Sequence, residues 1–258
     1  MANNSYILYK KITYLLLVIC LFSLSCQQRQ QSKLTIAAAA NLQFAMKDLV
    51  YSFTETTGVQ CEAILGSSGK LTAQIMEGAP FDLFVSADMK YPTALNQKGF
   101  SLSPPAVYAY GKLVLWSMVG HIRPSIEILT SDSIEHIALA NPKTAPYGQA
   151  AIEVLKHYNI QGQTENKLVY GESIAQTNQF ITSEAAECGF TAKSVVLSEV
   201  MKGKGQWIEL DPAIYSPITQ GVVILKDSKK VKEARQFFDF LFSEKGKNIL
   251  EKFGYAVN

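Results

Sequence analysis

The sequence predicts an α/β fold in which mostly parallel sheets are covered by helices on both faces. Three observations predict it. From residue 34 onward, short apolar runs alternate with segments whose apolar residues fall at helical spacing. A chain of 258 residues that is 48% hydrophobic and 18% charged can bury the cores of one or two such lobes. The C-terminal section also returns to a strong strand and an amphipathic helix, the pattern expected of a segment that packs back on the first block.

The N-terminus differs in kind. Lys10 and Lys11 precede an apolar run over residues 14–24, which is short for a permanent span and has the layout of a signal peptide. Ser25 stands directly before Cys26, and a polar tract over residues 27–32 follows. This resembles the lipoprotein signal of bacteria, which implies lipidation at Cys26, although Ser23 stands three places before the cysteine where Leu is usual. A plain secretory signal and an uncleaved anchor are the alternatives. Residues 1–32 are therefore set apart from the fold. Of the four cysteines, Cys20 and Cys26 belong to this segment; Cys61 and Cys188 lack metal-ligand spacing and are expected to be free thiols.

The elements follow in order. Leu34–Ala39 is an apolar strand, and Leu42, Ala45, Met46, Leu49, Val50 and Phe53 then mark a helix that stops at Gly58. Residues 59–65 form the next strand, 70–77 a helix ended by Gly78 and Pro80, and 82–86 a third strand. A new block opens near Gly111, with strands expected at 112–118, 137–140, 168–170 and 188–191 and helices at 149–158 and 173–181. Residues 221–225 form the returning strand, and Val231, Ala234, Phe237, Phe238 and Leu241 line one face of the helix after it. The expected division is one lobe from 33–110 plus 218–258 and a second from 111–217, with the crossings at 109–111 and 216–220 as hinges.

Charge and motif exclude several functions. The 24 basic and 22 acidic residues are spread along the chain and leave a net charge of +2, so no field suited to nucleic acid is present. There is no P-loop, dinucleotide turn or His/Cys cluster, and no cofactor is expected. The strand-to-helix junctions, where ligands of open α/β sheets bind, are polar but uncharged. The first carries Ala39, Ala40 and Asn41, with Asn41 placed to cap the next helix; the second carries Gly66, Ser67, Ser68 and Gly69. Helix N-termini offer free N–H groups and the positive end of the macrodipole, so such junctions either cap their helices or hold an anion.

Ala37-Ala38-Ala39-Ala40-Asn41-Leu42, Gly66-Ser67-Ser68-Gly69-Lys70-Leu71 and Gly78-Ala79-Pro80-Phe81-Asp82-Leu83-Phe84-Val85-Ser86-Ala87-Asp88 together resemble the periplasmic molybdate-binding protein (ModA) family of ABC transporters. The likeness continues through Asn141-Pro142, Ala145-Pro146-Tyr147-Gly148 and the ending Lys252-Phe253-Gly254-Tyr255; residues 102–135 match only loosely. The resemblance implies a two-lobed periplasmic binding protein of type II, a monomer that holds molybdate or tungstate between its lobes and delivers it to ABC transporter membrane subunits. It implies no metal cation and no charged side chain at the ion, so molybdenum enters only as the bound oxyanion. Carried over by position, Asn41 and Ser68 are the ligands of the first lobe, and the Pro146-Tyr147-Gly148 turn and Ile174 those of the second, with the phenol of Tyr147 as a further donor. Some members carry Ser at the place of Asn41 and a binding Tyr at the place of Ala192, with a small residue at the place of Tyr147; here the phenol comes from the neighbouring loop. Asp82 and Asp88 would repel a dianion and are assigned structural hydrogen bonds, and Glu172 is expected to point away from the cleft.

A donor-only site suits fully deprotonated dianions, and sulfate is the alternative ligand; protonated phosphate would also want an acceptor. The rival from another class is an exported hydrolase with Ser67 or Ser68 as nucleophile. Gly66-Ser67-Ser68-Gly69 is one residue short of the Gly-x-Ser-x-Gly elbow, and His121, His136 and His157 are all expected at the surface, which disfavours catalysis.

Overall fold

Two five-stranded sheets organise the chain in the computed structural model, which describes residues 33–257. The expected signal segment, with Cys20 and the lipidation candidate Cys26, lies outside the described residues. The first sheet is built from β1 (Leu34–Ala39), β2 (Cys61–Gly66), β3 (Leu83–Val85) and β4 (Ala106–Gly111), with α1 (Ala45–Thr57), α2 (Ser68–Met76) and α3 (Lys90–Gln97) between them. The chain then crosses to the second sheet: β5 (Leu113–Ser117), β6 (Ile137–Ala140), α4 (Pro146–His157), α5 (Gln161–Thr164), β7 (Leu168–Gly171), α6 (Ile174–Thr182), β8 (Cys188–Ala192), α7 (Lys193–Val196) and β9 (Gln206–Glu209). It returns through β10 (Ile218–Ile224), followed by α8 (Val231–Phe242) and α9 (Glu244–Lys252).

The strand orders are β2-β1-β3-β10-β4 and β7-β6-β8-β5-β9. In the first sheet β1 is parallel to β2 and β3, and in the second β6 is parallel to β7 and β8, as strand–helix alternation requires. Each sheet then gains antiparallel partners: β10 pairs with β3 and β4, and β5 with β8 and β9. Both sheets are therefore mixed. The antiparallel strands are the ones that enter or leave by the crossings, so their direction is set by the chain's return and not by a covering helix.

Local chemistry explains the elements. Ala45, Met46, Leu49 and Phe53 bury one face of α1, and Gly58 ends it in the left-handed region at φ 73°, returning its N–H to Thr54 O at 2.8 Å. Phe53 meets Phe237 of α8 edge to face at 5.1 Å, which brings the C-terminal helix onto the first lobe. Asp82 accepts from Thr35 N–H at 2.8 Å and Ser228 hydroxyl at 2.7 Å, a structural role. Cys188 is buried, Cys61 is half-buried, and both are free thiols pushed up to about 12 by burial. Among the described residues no helix is long and apolar enough to cross a membrane.

Candidate functional site

Three helix starts and the 3-10 turn at 40–42 converge on one cleft between the sheets. Its walls are Ala39, Ala40, Asn41, Gly66, Ser67, Ser68 and Ala87 from the first lobe and Ala145, Pro146, Tyr147 and Ile174 from the second. The four residues expected to bind, Asn41, Ser68, Tyr147 and Ile174, thus line a single small space. No ionisable carboxylate or ammonium is among the walls. A wider crevice beside Ser216, Pro217 and Ile218 carries Asp88, Lys90 and Glu153, and its carboxylates disfavour a dianion there.

The helix starts carry no side-chain caps, although Gly69 N–H of α2 is taken by Thr144 O and Gly148 N–H of α4 by Ala145 O. Ser68 is the first residue of α2, Tyr147 the second of α4 and Ile174 the first of α6, and none of these helices has a side-chain cap. First-turn N–H groups have no intrahelical acceptor, and Pro146, which has none to give, occupies the first position of α4. Helix α4 starts three residues earlier than its periodicity suggests, which turns the expected Pro146-Tyr147-Gly148 turn into a helical N-terminus. Gly148 permits this, since a Cβ there would stand 2.0 Å from Ala140 O.

Asn41 does not cap a helix. It lies inside the short 3-10 turn at 40–42, and Phe44 occupies the N-cap of α1. Its Nδ2 donates to Gln220 Oε1 at 3.1 Å and Tyr255 Oη at 2.9 Å, while its backbone oxygen accepts from Ser194 Oγ at 2.7 Å and Tyr255 Oη at 3.0 Å. The side chain is therefore an anchor that sets this turn. Its Oδ1 and Ser67 Oγ are buried without a hydrogen bond in the protein, the condition in which polar atoms take an ion or water as partner.

Two hydroxyls carry the polarity of the cleft. Ser68 Oγ is fully buried and accepts from Ala87 N–H at 3.0 Å, and Tyr147 Oη accepts from Gln220 Nε2 at 3.2 Å. Each oxygen has spent a lone pair on a protein N–H, so each O–H proton remains to be donated. Burial holds the phenol of Tyr147 well above its ordinary pKa, with the nearby Tyr255 and Tyr215 adding to the effect, so it stays a donor through neutral pH.

The lobes touch around this space. Gly69 N–H donates to Thr144 O at 2.9 Å, Tyr91 Oη donates to Lys143 O at 3.1 Å, and Lys70 pairs with Glu172 at 2.6 Å. Glu172 is not among the walls; its carboxylate reaches across the lip to Lys70 of the opposite lobe. Asp88 instead accepts from Ser86 Oγ and Tyr91 N–H, and burial raises its pKa. His121, His136 and His157 are exposed, and none lines the cleft beside Ser67 or Ser68. Sequence reasoning missed Gln220, Tyr108, Tyr255 and Ser194. A lone Gln within the strand run at 218–224 and the place of Tyr255 in the family-like C-terminal ending were the available signals.

A family model described as bacterial extracellular solute-binding protein matches residues 34–256. The molybdate-binding protein ModA of Azotobacter vinelandii is 36% identical over 230 residues, covering 88% of this chain and 91% of that protein. The molybdate-binding protein ModA of Rhodobacter capsulatus is 38% identical over 223 residues, covering 86% of this chain and 87% of that one. Among solved structures, the periplasmic molybdate-binding protein of Azotobacter vinelandii superposes with a TM-score of 0.84 at 33% identity, over 88% of this chain and 100% of that chain.

Proposed function

The chain belongs to the bacterial extracellular solute-binding proteins, and within them to the molybdate-binding protein ModA family; from that premise we propose that it captures molybdate or tungstate in this cleft for an ABC importer. The observation that carries the reading is the polarity of the walls. Ser68 and Tyr147 each keep an O–H proton to donate, helix starts supply N–H groups, and no carboxylate faces the space. Such walls solvate a fully deprotonated tetrahedral dianion, and the dry setting strengthens each bond. In this reading Asn41, Ser68, Tyr147 and Ile174 are the contact residues. Asn41 and Ile174 act through backbone N–H groups, and Asn41 is also held in place by its side chain.

Binding closes a lobe of residues 33–110 plus 218–258 onto a lobe of 111–217 about the crossings at 109–111 and 216–220. The closed form, with the lip contacts Gly69–Thr144 and Lys70–Glu172 made, is the one the membrane subunits recognise. The receptor works as a periplasmic monomer held to a membrane through a lipid at Cys26.

Titration calorimetry with molybdate, tungstate, sulfate and phosphate tests the reading. Tight binding of the two larger oxyanions and no uptake of phosphate are expected. Preferred sulfate binding would keep the mechanism and change the cargo, and no heat with any of the four would refute the reading.

A further inference from the structure

We propose that Gln220 sets the hydrogen-bond polarity of the cleft, and so makes it select fully deprotonated oxyanions over protonated ones; the proposal rests on the oxyanion reading above. Gln220 is completely buried, on β10 of the first lobe, at the bulge where the pairing with β4 shifts register. Two donors converge on its Oε1: Tyr108 Oη at 2.6 Å and Asn41 Nδ2 at 3.1 Å. That leaves Nε2 to donate across the lobes to Tyr147 Oη at 3.2 Å. The phenol, having accepted this N–H, turns its own proton outward. One amide therefore makes Tyr147 a donor to the ion and holds the Asn41 turn.

The geometry of the pair is enforced from behind by Gly111. A Cβ there would stand 2.1 Å from Tyr147 Oη and 2.5 Å from Gln220 Nε2, so the pair occupies room that only glycine leaves. Gln220 belongs to the first lobe and Tyr147 to the second, so this bond exists only when the lobes are together. The titratable groups around Gln220 are the phenols of Tyr108, Tyr147 and Tyr255, all held above the ordinary phenol range by burial. None of them titrates between about pH 6 and 9.

A hydrogen phosphate or hydrogen arsenate ion carries an O–H that must find an acceptor, and outward-turned donors offer none. A carboxylate at position 220 would invert this arrangement. It only accepts, so the Tyr147 proton would turn to it and the phenol would present a lone pair to the ligand. A buried carboxyl has a raised pKa, and once protonated it again offers one donor and one acceptor, as the amide does.

The test is calorimetry of the full-length chain with sodium molybdate and, separately, sodium phosphate, between about pH 6 and 9. The variants are Gln220→Glu, Gln220→Met, Tyr147→Phe and the double Gln220→Met/Tyr147→Phe. Wild-type molybdate affinity is expected to be flat with pH, whereas Gln220→Glu loses molybdate at high pH and regains at least about tenfold as pH falls. Each of Gln220→Met and Tyr147→Phe weakens molybdate about tenfold, and the double variant loses about tenfold and not a hundredfold, because one residue acts through the other. Additive losses, or a Gln220→Glu variant whose molybdate affinity is as flat with pH as wild type, overturn the role of Gln220 while leaving the cleft intact. A wild type that takes no molybdate removes the oxyanion reading itself and the proposal with it. Either arm suffices alone if one variant fails to fold.

Discussion

Ser68→Ala separates what this hydroxyl does for the fold from what it does for the ligand. In the folded chain Ser68 Oγ is the acceptor for Ala87 N–H at 3.0 Å, and the residue has no exposed surface. Deleting the oxygen leaves a buried N–H unsatisfied, which costs about 1–3 kcal/mol of stability. For a chain of this size that lowers the unfolding temperature by about 2–4 °C per kcal/mol. In the proposed site the same oxygen gives its proton to the ion, and a hydrogen bond to a charged group contributes about 1.5–3 kcal/mol. Molybdate affinity should then fall by about 10- to 150-fold. Thermal unfolding without ligand reads the first quantity and calorimetry reads the second. If the variant unfolds earlier as expected yet binds molybdate within about twofold of wild type, where the structure calls for at least tenfold, Ser68 is a structural residue only and the assignment of its proton is wrong.

Three further outcomes follow from the same geometry. Gly69→Ala puts a Cβ 2.7 Å from Tyr91 Oη and 3.0 Å from Thr144 Cα of the other lobe, which wedges the lip. Molybdate should bind roughly tenfold more weakly or worse, and the ligand-induced compaction seen by small-angle scattering should shrink; unchanged compaction would count against closure. The phenols of Tyr108, Tyr147 and Tyr255 all titrate above their ordinary value of 10.0 in the folded state because they are buried. The unfolded chain therefore loses these protons first: their contribution to stability is complete below pH 10.0 and declines as pH rises beyond it, as chemical unfolding across alkaline pH would show. Finally, Cys26→Ser should move the exported chain from the membrane fraction to the soluble one, and an unchanged distribution would exclude the lipid anchor.

Much of the candidate site was legible because its parts are local. Asn41, Ser68 and Ile174 stand where a strand hands over to a helix, and a run of small residues before an amphipathic segment marks such a place without knowledge of the partner lobe. Their roles were less legible. Asn41 reads as a cap, yet its amide is committed to Gln220 and Tyr255, residues 179 and 214 positions away. Glu172 reads as a residue that points away from the cleft, but its partner across the lip, Lys70, was not legible. A carboxylate's partner depends on which lobe faces it, and spacing along one helix carries no information about that.

By itself the sequence determined the alternation of strands and helices, the parallel cores around β1 and β6, and the resemblance that pointed to an oxyanion. These depend on hydrophobic period and on residues close together in the chain, where each choice is settled by its neighbours. Only the tertiary structure decided that both sheets are mixed, that β4 and β9 complete them, and that the Ser68 and Tyr147 hydroxyls at one cleft each already accept a protein N–H. The direction of a hydroxyl proton is set by what already donates to its oxygen. Here those donors are Ala87 N–H and Gln220 Nε2, which lie 19 and 73 residues away and are brought into place by packing.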